Sequence, residues 1–301
     1  MRAADDLIHK WDTVPEVRGL VHVVHGMSEH ARRYDRLARE LNRAGYVVWA
    51  HDQRGHGRNP TPPVGLGHFA DEDGWRALLD DAWQVSAQLR EAYRGRPLFL
   101  FAHSMGSFEG QAIIAEHGDA YAGVVLSGTC GAPDIREAAA RLLARLQLAV
   151  LGARAPGVWV QRAVFGTYNR QFAPNRTAFD WLSRDTAEVD AYVADRLTKA
   201  PLTARAWVDF LDGKRHLGRA DQVARIPRTL PIYVIGGTQD PVGENARGVQ
   251  RLLDAYRAGG LQHVTQALYP DARHELINEI NRDVVIADLI AWLDLRTRPA
   301  S

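Results

Sequence analysis

The stretch FLFAHSMGSFEG, residues 99–110, decides how the rest of the chain is read. An apolar run enters a turn of small residues at His103-Ser104-Met105-Gly106 and continues at once as a helix-forming segment, so Ser104 stands where a buried strand becomes a helix. Such a turn lifts a hydroxyl clear of the sheet edge. It also aims the N–H of Met105 and the positive end of the helix at the place where charge develops on an attacked carbonyl. The usual pattern is GxSxG, and here Ala102 holds the first small position, adding one methyl group. Taken alone, a serine in a small-residue turn is more often a helix N-cap, and the strand-to-helix context reverses that reading. Nucleophilic chemistry requires a base and an acid elsewhere in the chain.

Outward from this turn, short apolar runs alternate with amphipathic ones. GLVHVVHG (19–26), YVVWAHD (46–52), PLFLFAH (97–103) and YAGVVLSG (121–128) read as buried strands, separated by helical patterns over 31–45, 73–93 and 105–117. The rhythm fails over 130–226, which reads as helices broken by Arg, Pro and aromatic residues. It resumes with PIYVIGG (231–237), a helix over 244–258, a strand over 263–269 and a helix over 284–295. The expectation is an α/β fold whose mostly parallel sheet is flanked by helices, with 1–129 and 227–301 forming the core and 130–226 an inserted helical cap.

Composition excludes several classes of function. The 301 residues carry 37 Lys and Arg against 36 Asp and Glu, a net charge of +1 that attracts neither nucleic acid nor an anionic membrane. The single cysteine, Cys130, forms no internal disulfide, and the acidic start MRAADDLIHK lacks the pattern of a signal peptide, so a cytoplasmic location is expected. The most apolar stretch, 146–160, is broken by Arg154, Pro156 and Gly157, well short of the roughly 20 residues a spanning helix needs.

Acid and base candidates follow two later strands. Asp240 lies just after PIYVIGG and His274 just after HVTQALY. Strand C-terminal ends form the ligand crevice of an open parallel sheet, so Ser104, Asp240 and His274 are expected to converge there in the order Ser, Asp, His. Locally, Asp240 is also a turn residue before proline and His274 a plausible helix-capping histidine. The other histidines, including His22, His25, His51 and His68, show no compact zinc spacing, and His103 is read as packing away from the nucleophile. No phosphate-cradling or dinucleotide motif occurs, and no metal or organic cofactor is implied. A second oxyanion N–H is expected from Met27 in HGMSEH, with Glu29, His30, Asp52, Arg54 and His56 holding that loop.

Together HGMSEHARRY, DQRGHGRN, AHSMGS, GTQDPV and DARHELINE resemble the monoglyceride lipase and lysophospholipase-like branch of the α/β-hydrolases, of serine aminopeptidase S33 type. NRTAFDWLSRD and VDAYVAD look like the cap of its bacterial members. The resemblance covers nearly the whole chain and implies Ser104 as nucleophile, His274 as base, Asp240 as its partner, and Met27 and Met105 as oxyanion donors. Relatives often carry a smaller residue at position 27, which bears on substrate size.

In the cap, Ile135, Ala139, Leu142, Leu143, Leu146 and Val150 share one helical stripe, widened by Leu148 and Leu151. This stripe is expected to pack on the core or roof an acyl pocket, with transient membrane contact as the other reading. The expected partner is a small acyl ester, a monoacylglycerol or lysophospholipid foremost. A thioesterase, an aminopeptidase anchored by Glu188, Asp190 or Asp195, and a non-catalytic binding protein are the rival readings.

Overall fold

A computed structural model of the chain describes residues 5–132 and 135–297. Its centre is a seven-stranded sheet: β1 (Ile8–Trp11), β2 (Gly19–Val24), β3 (Tyr46–His51), β4 (Leu98–His103), β5 (Gly123–Ser127), β6 (Ile232–Gly237) and β7 (Val264–Tyr269). The order across it is β1-β3-β2-β4-β5-β6-β7, parallel throughout except for β1, which runs antiparallel to β3 at the edge. β2 to β6 are fully buried, which is why they read as unbroken apolar runs.

Side chains alternate between two cores, as the two-residue period of a strand demands. Leu20 and Val24 of β2 point to the face covered by α2 (Gly74–Ala92), α3 (Met105–His117) and α9 (Arg247–Ala258). Val21 and Val23 point to the face covered by α1 (Asp35–Arg43) and α10 (Arg282–Thr297).

Between β5 and β6 the chain is helical: α4 (Ile135–Leu151), α5 (Val158–Phe165), α6 (Thr186–Ala194), α7 (Ala204–Lys214) and α8 (Ala220–Val223). A third apolar cluster joins this segment to the strand C-terminal ends, with Met105 and Phe108 of α3 packed among Ala144, Val160, Trp207 and Phe210. Trp181, Leu182 and Tyr192 form a fourth.

The α4 stripe does not behave as its periodicity suggests. Leu142, Leu146 and Val150 are 71%, 54% and 60% exposed, whereas Ala144 and Gln147 are buried. Gln147 turns inward because it donates to the Pro156 carbonyl and accepts the Trp159 N–H, satisfying the exit of α4 and the start of α5. Of the stripe, Ala139 and Leu143 face the cavity described below. The side chain of Ile135 lies outside the described part.

Candidate active site

Ser104 is held in a conformation that few non-glycine residues adopt, with φ 53° and ψ −120°. Its N–H donates to the Ser127 carbonyl at 2.9 Å, which locks the turn to β5. Close approach of helix and strand sets its neighbours: a Cβ on Gly106 would lie 2.4 Å from the Val24 carbonyl oxygen. The methyl of Ala102 is accommodated because the residue facing it on α3 is Gly110, where a Cβ would meet the Ala102 Cβ at 3.0 Å. The strain of the turn leaves the hydroxyl at the N-terminus of a 13-residue helix.

His274 reaches this hydroxyl from the loop after β7. Its Nε2 lies 2.9 Å from Ser104 Oγ, and its Nδ1 lies 3.0 Å from both carboxylate oxygens of Asp240 in the loop after β6. A carboxylate only accepts, so Nδ1 carries the proton and Nε2 is left to accept from the serine hydroxyl. Burial alone depresses the imidazole pKa. The charge of Asp240 and its hydrogen bond more than reverse this, and the net shift is upward. The three residues named from sequence therefore meet.

Around them the loop after β2 is tied down by Glu29, whose carboxylate accepts from the Gly26 N–H at 2.6 Å, the Tyr34 hydroxyl at 2.9 Å and Arg33 at 2.8 Å. Arg33 also makes two bonds of 2.6 Å to Glu275, the neighbour of His274, so one guanidinium joins the two loops. Burial raises the Glu29 carboxyl pKa, but Arg33 and nearby histidines bring it to about 2. The N–H groups of Met27 and Met105 have no hydrogen-bond partner among the described residues, and both residues line the cavity beside Ser104.

Asp52 holds the same loop by accepting from the Ala31 and Arg58 N–H groups, Arg54 pairs with Asp81, and His56 accommodates His25 and Phe69 against its ring. His30 instead reaches the helical segment, 2.8 Å from Asp195. His103 does not point away as its sequence position implied: its ring lies 4.7 Å from that of His274, and its Nδ1 is 3.2 Å from Ser127 Oγ.

The cavity above Ser104 has a volume of ≈ 1040 Å³. Phe108, Leu143, Phe165, Trp181, Trp207 and Phe210 give it an apolar wall. Four carboxylates also face it, and each is ion-paired: Glu29 and Glu275 share Arg33, Glu137 pairs with Lys214, and Glu244 with Arg251. Glu188, Asp190 and Asp195 are not among the lining residues; they pair with Arg36, Arg176 and His30. Among the described residues no cluster of three His, Cys, Asp or Glu could hold a metal ion.

The model of the serine aminopeptidase S33 family matches residues 15–281. The chain belongs to this family. Among relatives of this S33 hydrolase, the monoacylglycerol lipase of Mycolicibacterium smegmatis is 30% identical, with 94% of this chain and 90% of the relative covered. Human monoglyceride lipase is 26% identical, with 96% and 87% covered. A solved thermostable carboxyl esterase from Bacillus coagulans, in complex with glycerol, superposes with a TM-score of 0.89 at 28% identity, covering 97% of this chain and 94% of its own. This S33-family chain is an α/β-hydrolase of the monoglyceride lipase-like branch, a carboxylic ester hydrolase.

Residues that sequence reasoning missed are those acting across the fold: Gly128, Arg33, Glu275 and Trp181. The last lies 5.0 Å from the His274 ring, centroid to centroid. All four stand inside stretches quoted from the sequence, Arg33 in HGMSEHARRY, Glu275 in DARHELINE, Trp181 in NRTAFDWLSRD and Gly128 in YAGVVLSG, but no local pattern assigned them a role.

Proposed function

We propose that this hydrolase cleaves lipid esters, monoacylglycerols or lysophospholipids foremost, through an acyl-enzyme on Ser104. The single observation that carries this reading is the unbroken contact from Ser104 Oγ through His274 to Asp240. Ser104 attacks the ester carbonyl as His274 Nε2 takes its proton. Asp240 fixes the tautomer and stabilises the imidazolium that results. The N–H groups of Met27 and Met105 receive the oxyanion, a term worth about 100- to 1000-fold per donor in such sites. His274 then protonates the departing alcohol, and a water activated by the same imidazole releases the acid.

Substrate class rests on the apolar cavity wall and on the relatives, two of which are named for monoacylglycerol hydrolysis and one of which holds glycerol. Residues 130–226 act in this reading as a cap on the core of 1–129 and 227–301, roofing the acyl chain. The exposed row Leu142, Leu146 and Val150 then serves for transient contact with a lipid surface, and no helix among the described residues is long and apolar enough to cross a membrane. The enzyme works in the cytoplasm and needs no cofactor in this mechanism. Because every cavity-facing carboxylate is already held in an ion pair within the protein, an ester is favoured over a substrate anchored by a free amine. A hydrolysis panel of monoacylglycerols, lysophospholipids, acyl thioesters and aminoacyl amides tests this: the monoacylglycerols and lysophospholipids should lead, and a preference for amides or thioesters would overturn it.

A further inference from the structure

Trp181 belongs to the helical segment between β5 and β6, yet its ring lies 5.0 Å from that of His274 at an interplanar angle of 36°. It is 7% exposed and is held in turn by Phe165, stacked at 5.9 Å, and by Tyr168, edge-on at 5.1 Å. The two loops share a backbone frame. The His274 N–H faces the Trp181 carbonyl at 3.4 Å, and the Glu275 N–H donates to the Leu182 carbonyl at 2.8 Å. Arg273 donates to the Asp180 carbonyl at 2.5 Å and the Ser183 carbonyl at 3.2 Å. Farther along, Arg184 pairs with Glu279 at 2.9 Å and Arg282 with Asp185 at 2.7 Å. Residues 180–185 and the histidine loop therefore sit as one unit.

An indole face attracts a cation more strongly than a neutral ring, so its contribution grows as the imidazole gains a proton. We infer that Trp181 is a positioning residue for this hydrolase, seating the His274 ring and stabilising the imidazolium formed when Ser104 gives up its proton. The inference rests on the catalytic reading of His274 given above. It adds that the base is completed by a residue of the inserted segment, so docking of 180–185 on the core is a condition for full activity.

Other groups act on the same imidazole and must stay fixed in any test. Asp240, from the loop after β6, holds Nδ1; Glu275 on its own loop and Glu29 from the loop after β2 add negative charge, shared with Arg33. His103 from β4 lies beside the imidazole; burial, with His274 next, lowers its own pKa to about 4, so it is neutral near pH 7. Trp181 carries no charge, so replacing it leaves all of these in place.

The test compares the intact enzyme with Trp181→Phe and Trp181→Leu. The acid limb of kcat/KM is measured with 4-nitrophenyl acetate, an ester too small to fill the cavity, and the His274 imidazole is titrated in parallel by NMR. Loss of the indole face should move both midpoints down by about 0.5–1 pH unit in the Leu variant and by less in the Phe variant. In the same variants kcat should fall more than KM rises. An unchanged midpoint in both variants would overturn the role, as would an upward move, which marks the ring as a water shield whose removal hydrates the imidazole. If Trp181→Leu fails to fold, the sign of the shift in Trp181→Phe decides. Absence of turnover in the intact enzyme would count against the hydrolase reading alone, because the NMR titration still reports on Trp181.

Discussion

Gly128 and His274 are in direct opposition: a Cβ on Gly128 would lie 2.8 Å from His274 Cε1 and 3.0 Å from Nδ1. Gly128 also has φ +60°, which a side chain strains further. Gly128→Ala should displace the imidazole from both Ser104 and Asp240. A misplacement of roughly 1 Å costs about 100-fold in such sites, so kcat should fall by about that factor while the protein still folds. Steady-state kinetics on the purified variant, with a melting curve as the control for folding, would check this, and near-normal kcat would speak against it.

Ala102 and Gly110 form a second coupled pair. The elbow methyl occupies space that a second methyl on α3 would need, so Gly110→Ala should destabilise the fold by about 1–3 kcal/mol through overpacking. Ala102→Gly in the same chain returns the space and should recover part of that loss. A double-mutant cycle by denaturant unfolding measures the coupling, and strict additivity would contradict the contact.

Acid should unfold this protein early. Burial is the leading cause that lowers His25, His51 and His103 to about 4 and His56 to about 3, all from 6.5. The unfolded chain binds protons at these sites below pH 6.5 and the folded one does not, so stability is complete above 6.5 and is lost as pH falls toward 4. Each such histidine removes at most about 1.4 kcal/mol per pH unit inside that window. His274, shifted upward, has the opposite sign: its contribution is present below 6.5 and fades as pH rises through its folded pKa. With these four, and His22 likewise lowered by burial, set against His274, melting temperatures should drop steeply from pH 6.5 to 4.5. A flat profile there would mean that these rings are not held neutral.

Much of the fold was legible because chemistry and local pattern coincide. Strands buried on both faces give continuous apolar runs, and Ser104 and Asp240 follow two of them, β4 and β6, whereas His274 follows the half-exposed edge strand β7. β1 was missed because Ile8–Trp11 is a four-residue edge strand of alternating burial with no apolar run. The helix expected from residue 244 begins only at Arg247, since Glu244, Asn245 and Ala246 all take positive φ. On α4 the leucines mark a face without saying which way it turns, and buried Gln147 is invisible to a hydrophobic pattern. The Arg33 bridge and the Trp181 contact join residues 242 and 93 positions apart, respectively, from their partners Glu275 and His274, a separation that no local pattern records.

The most direct test is labelling with a fluorophosphonate, which reacts covalently only with a serine whose proton a neighbouring base removes. Intact protein should be modified at a single site, mapped by peptide mass spectrometry to Ser104, with labelling and ester hydrolysis both abolished in Ser104→Ala and nearly so in His274→Ala. Undiminished hydrolysis by Ser104→Ala, or a folded protein whose Ser104 stays unlabelled, would contradict the assignment of Ser104 as the nucleophile.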